Sequence, residues 1–124
     1  MATAINSEAH DRAMQVIKCT LTFESATQSA TTTHSYYGYV VQCYLDHGGT
    51  APDTGYDIFV KDEFGVDTLN AKGVNITSGT DKHTFTQSDL DNGMACSGQL
   101  TFSGADGGNS DGVVEIYLYV ARYQ

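Results

Sequence analysis

Apolar residues return at every second position along several stretches of this chain, which is the period of a β-strand with one covered face. The last stretch is the clearest: Val114, Ile116, Leu118 and Val120 fall on one side, and Glu115, Tyr117, Tyr119 and the region of Arg122 on the other. Val16 to Glu24 alternates as cleanly and predicts a first strand with Ile17, Cys19, Leu21 and Phe23 inward. Tyr56, Ile58 and Val60 alternate with Asp57, Phe59 and Lys61 behind Pro52, whose fixed φ and missing donor set a loop before the strand. Asp62 to Gly65 then reverses the chain. Gly65 supplies the positive φ that a short hairpin loop requires, and Val66 to Leu69 is expected to restart the sheet. Ala95 to Ser103 reads as one further strand, separated from the last by the glycine-rich loop Gly104 to Gly112.

Ser35 to Asp46 is different, because both of its sides are apolar. Strict alternation places Tyr37, Tyr39, Val41, Cys43 and Leu45 on one face and Tyr36, Val40 and Tyr44 on the other. Such a strand is either covered on both sides within a sandwich or takes part in a contact between subunits. Elsewhere the pattern is weaker. Ser25 to Thr33 lacks periodicity and reads as an exposed loop, and Asn70 to Asp91 holds short strands near Val74 to Thr77 and His83 to Thr86. Ser88 to Gly93 forms a helical turn or a bend, with Asn92-Gly93 as a turn signal. Residues 1–14 are polar and fit a turn of helix capped by Ser7, an arm on a neighbouring subunit, or a tail. The whole predicts an N-terminal arm over 1–14 and one domain over 15–124. That domain is all-β, an antiparallel β-sandwich of about eight strands, jelly-roll or Ig-like.

Composition narrows the partners. Fifteen acidic residues against six basic give a formal charge of −9, and Arg12, Lys18, Lys61, Lys72, Lys82 and Arg122 stand singly. A protein that follows a phosphate backbone needs clustered cations, so no nucleic-acid partner is expected. No apolar run approaches a bilayer's thickness, and Met1 to Met14 has no apolar signal-peptide core, so neither membrane nor secretory targeting is expected. Cys19, Cys43 and Cys96 each fall on the apolar side of a strand. They are expected as buried free thiols in a reduced compartment, with a Cys19–Cys43 bridge as the alternative.

Thr50 to Leu69 also resembles a segment of small phage virion structural proteins, of the form TAPTDxYDxxLxDExGVDxL. Gly98 to Phe102 and Gly112 to Tyr117 resemble two later strands of the same family, so the likeness runs over Ile17 to Arg122. Thr54-Gly55 and Phe64 depart from its pattern before the tyrosine and in the turn. The resemblance implies a noncatalytic virion component, made in the bacterial cytoplasm. Its most concrete form is a capsid decoration or cement protein, a homotrimer bound to the major capsid protein or other virion proteins. A neck or tail adaptor, or a fibre-associated protein, is the alternative within that class.

Little chemistry competes with this reading. His10, His34, His47 and His83 are dispersed, the cysteines lack C-x-x-C spacing, and His47 beside Asp46 is the one histidine–acid adjacency. The loop Asp106 to Gly112 departs from a calcium-binding hand at its first and last ligands, which leaves Asp106 and Asp111 as a looser alternative. Asp62, Glu63 and Asp67 read as turn formers. No catalytic, cofactor or metal residue is therefore assigned, and an enzyme is not expected. Tyrosine is rigid and amphipathic and is enriched where proteins meet, which makes Tyr36, Tyr44, Tyr117 and Tyr119 the candidate interface. From another class, a glycan-binding β-sandwich would use Tyr36, Tyr44 or the glycine-rich loops.

Overall fold

A computed structural model describes residues 3–10, 12–23, 28–47, 50–77, 82–91, 93–108 and 112–122. Among these the chain is all-β, with nine strands and no helix. They are β1 (Ala4–Ala9), β2 (Met14–Thr22), β3 (Gln28–Thr31), β4 (Tyr36–Asp46), β5 (Asp57–Lys61), β6 (Lys82–Phe85), β7 (Met94–Gly98), β8 (Thr101–Ala105) and β9 (Val113–Arg122). All pairings are antiparallel. The larger sheet runs β1-β2-β9-β4-β6, with β7 also on β4, and the smaller runs β3-β8-β5.

One hydrophobic core lies between the sheets. Ile17, Cys19 and Leu21 of β2, with Val114, Ile116, Leu118 and Val120 of β9, meet Ile58, Val60 and Phe102 of the smaller sheet, all fully buried. Each such aliphatic or aromatic side chain contributes about 1.5–3 kcal/mol on leaving water, so the alternation read in β2 and β9 is also where much of the stability resides. The three cysteines are part of this core and are free. Burial pushes the Cys19 thiol up to about 12 and the Cys96 thiol to about 11, and raises Cys43 as well. All three therefore stay protonated and chemically quiet.

Several expectations are corrected, each for a local reason. Residues 4–9 form a strand paired with β2 where a helical turn was one reading, since an edge strand needs only backbone partners and its side chains can stay polar. Gln28–Thr31, expected as loop, pairs with β8 in the same way. Ala95 to Ser103 is two strands: at Gly98, with φ of +89°, the chain leaves the larger sheet and re-enters the smaller one at Thr101. Gly65 does take a positive φ, +78°, but Val66 to Leu69 returns only as a single antiparallel bridge of Asp67 to Lys61 and does not continue into a strand. Instead the Asp67 carboxylate accepts hydrogen bonds from the amides of Val60, Leu69 and Ala71 at 3.1–3.2 Å, and the chain turns over residues 68–73. Near Val74 to Thr77 only Ile76 bridges, to Tyr56, while the strand expected at His83 is present as β6. The segment 88–91 is a turn, and Asn92 lies outside the described residues.

The largest correction concerns β4. Its register with β9 slips between Val40 and Gln42: Val40 faces Val120, and Gln42 already faces Tyr119. Val41 is the extra residue of a β-bulge, and beyond it the inward and outward sets exchange places. Tyr36, Gly38 and Val40 point inward before the bulge, and Cys43 and Leu45 after it. Tyr37 and Tyr39, followed by Gln42 and Tyr44, therefore line the outer side.

Candidate functional site

The outer face of the larger sheet carries the tyrosines. Strand β9 contributes Tyr117 and Tyr119 by simple alternation, and β4 contributes Tyr37, Tyr39 and Tyr44 through its bulge. Three of the four tyrosines expected at an interface thus come together. Tyr44 stands opposite Tyr117, and its ring meets that of Tyr119 edge to face, with centroids 5.6 Å apart. Gln42 Nε2 donates to the Tyr44 hydroxyl at 2.6 Å. The Tyr117 hydroxyl donates to Glu115 at 3.0 Å, while Lys18 Nζ sits 5.2 Å from the Tyr117 ring centroid and 3.9 Å from the Glu115 carboxylate. These contacts fix ring positions more than they add stability, since exposed ion pairs contribute about 0–1 kcal/mol.

Tyr36 is not on this face. It is fully buried, and its hydroxyl donates to Glu8 at 2.9 Å. Burial, and then the bond and charge of Glu8, raise the Tyr36 hydroxyl well above the usual phenol range. Burial alone would raise the Glu8 carboxyl too, but hydrogen bonds from the His34 and Thr33 amides and from Tyr36 outweigh it and hold Glu8 below its ordinary value. The cluster clamps β1 to the 32–36 segment. Tyr56 is the contrasting case, a buried phenol raised to about 12 by burial, whose hydroxyl has no hydrogen-bond partner among the described residues. Tyr36→Phe is accordingly expected to cost about 1–2 kcal/mol, and Tyr56→Phe to leave stability within about 0.5 kcal/mol or raise it. Urea midpoints of the two variants check this, and equal losses would contradict it.

The residues that strict parity put on the wrong face are the most exposed aromatics of β4. Tyr37 is 50% and Tyr39 45% exposed, and Met14 at the adjoining end of β2 is 45% exposed. The face therefore has two zones: a projecting one at Met14, Tyr37 and Tyr39, and a concave one at the other end of β4. The concave zone is a groove of about 420 Å³ lined by Tyr44, Tyr117, Tyr119, Asp46, Lys82 and Thr84, among others. No sequence signal marks the projecting zone, because a bulge is invisible to a period-2 count.

The remaining candidates do not converge. Asp46 and His47 are consecutive on an extended segment, so Asp46 turns outward while His47 is buried, its ring 6.0 Å from those of Tyr56 and His83. Among the described residues neither His47 nitrogen has a hydrogen-bond partner. Asp106 is exposed, and its carboxyl is raised by a hydrogen bond with Asp57 and by that group's charge; Asp111 lies outside the described residues. Among the described residues no three His, Cys, Asp or Glu side chains are placed to hold a metal ion. Asp62 acts as a turn former: its carboxylate accepts from the amides of Phe64, Val66 and Ser97 at 3.0–3.3 Å. No helix among the described residues is long and apolar enough to cross a membrane. No protein-family model, curated protein or solved structure matches the chain.

Proposed function

We propose that the protein is a noncatalytic virion component of a bacteriophage, a capsid decoration or cement protein that docks through the outer face of its larger sheet. The observation that carries the docking is the projecting zone. Three large apolar side chains, Met14, Tyr37 and Tyr39, are each close to half exposed on paired strands, where a lone domain would place polar residues. A rigid sheet holds them in place before contact, which lowers the entropy lost on binding. The virion assignment rests on the resemblance of Thr50 to Leu69, Gly98 to Phe102 and Gly112 to Tyr117 to phage structural proteins. The partner is the major capsid protein, and the assembly on the lattice is a homotrimer, the closed form suited to threefold positions. Free buried thiols fit assembly in the bacterial cytoplasm.

A cement protein strengthens a shell by burying area across subunit boundaries, so binding and shell stability are linked. Quantitative mass spectrometry of purified particles is expected to find on the order of hundreds of copies per particle, as repeated lattice sites require. Heads lacking the protein are expected to rupture at lower temperature than complete ones. A ring-like copy number of about six or twelve would assign it instead to the neck or tail. Absence from particles would end the virion reading altogether.

A further inference from the structure

We propose that the groove at the far end of the outer face is a binding site for a neutral saccharide. This site is separate from the projecting zone and does not depend on the virion assignment. Its volume, about 420 Å³, falls within the range of small-molecule sites, roughly 300–1,000 Å³, and its open shape suits part of a longer chain rather than an enclosed cofactor.

The lining has the two halves that a sugar needs. Tyr44 and Tyr119, which meet edge to face, both line the groove and supply aromatic surface of the kind on which the C–H face of a pyranose stacks. Tyr117 forms the adjoining wall, held by Glu115 on its hydroxyl and Lys18 over its ring. The polar half comes from Asp46, Lys82 and Thr84, which place an acceptor, a donor and a group of both kinds around the aromatic surface. The Tyr44 hydroxyl accepts from Gln42 and can still donate its own proton. Vicinal sugar hydroxyls both donate and accept, and they match such a mixed rim.

Charge decides the class of sugar. Lys82 and Lys18 balance Asp46 and Glu115 around the groove, so no local excess of cations draws an anion, and the charge of −9 on the whole protein disfavours sulfated, phosphorylated or uronic-acid sugars.

The test is saturation-transfer NMR and calorimetry on the whole protein with glucose, galactose, mannose, N-acetylglucosamine and their neutral oligomers. Binding of at least one at a Kd of about 0.1–5 mM is expected, weakened about tenfold or more by Lys82→Ala and by Tyr44→Ser, and unchanged by Tyr37→Ser. Lys82 is exposed, so its replacement is expected to leave the fold intact, and that variant decides the matter if Tyr44→Ser is unstable. No binding at sugar concentrations of about 20 mM overturns the proposal, as does binding that survives Lys82→Ala or that prefers the anionic sugars.

Discussion

Replacing Tyr37 and Tyr39 together by serine is expected to leave a folded protein that no longer stays on particles. The two rings stand on the outer side of β4, half in solvent, and neither belongs to the buried core. Their loss should therefore move the urea midpoint little, since exposed substitutions usually change stability by within about 0.5 kcal/mol. Binding should respond far more. Central tyrosines of an interface typically contribute about 2 kcal/mol or more each, and two such losses correspond to roughly a thousandfold weaker association. The measurement is retention of purified variant on decoration-free heads, read beside its circular dichroism and its melting curve. A variant that folds and binds like the parent would sink the docking face. A variant that fails to fold would show instead that these rings are local packing.

The choice of Tyr37 and Tyr39 shows what the sequence could and could not supply. Strands β2, β5 and β9 were legible because each keeps one apolar face over its whole length, and a period of two then assigns every side chain. The burial of Cys19, Cys43 and Cys96 followed from the same count. In β4 it held for Cys43 and Leu45 but failed for the residues before Val41, because Val41 bulges and the two halves of the strand obey opposite parities. Strict parity consequently assigns Tyr36 outward, although it is buried against Glu8, and Tyr37 and Tyr39 inward, although each is about half exposed. Nothing in the string Tyr-Tyr-Gly-Tyr-Val-Val-Gln-Cys marks the slip. It arises from the backbone register with β9, which lies far along the chain.

Polar strands were hidden for a related reason. β1 and β3 bury few apolar side chains and exist because β2 and β8 offer them backbone partners, so their own composition resembles a loop. Conversely, Val66 to Leu69 has strand composition, yet it makes only the bridge of Asp67 to Lys61 before the chain turns, with the Asp67 carboxylate taking the amides of Val60, Leu69 and Ala71. The groove was only half visible: Tyr44, Tyr117 and Tyr119 were singled out, but Lys82 and Thr84 reach it through the pairing of β6 with β4. Tertiary pairing, rather than local preference, decided each of these cases.

That pairing makes Gly38 the most sensitive position in the larger sheet. Gly38 lies in the middle layer of a three-strand arrangement, with Cys96 of β7 on one side and Arg122 of β9 on the other. A Cβ there would stand 2.0 Å from the carbonyl oxygen of Ala121 and 2.9 Å from its carbon. Both are backbone atoms, held in the ladder, so relief requires β4 and β9 to separate at the point where the bulge sets their register. Gly38→Ala is expected to cost about 3–5 kcal/mol, from overpacking together with lost ladder hydrogen bonds, against a total of about 5–15 kcal/mol for a domain. Gly65→Ala is the control. Its Cβ would meet no atom within 4 Å, and only its φ of +78° opposes the change, at a cost of about 1 kcal/mol. Urea denaturation should thus show a collapsed midpoint, or insoluble protein, for the first variant and a small shift for the second. Equal midpoints would mean that β4 and β9 do not approach as closely at Gly38 as their register implies, and the outward placement of Tyr37 and Tyr39 would lose its basis with it.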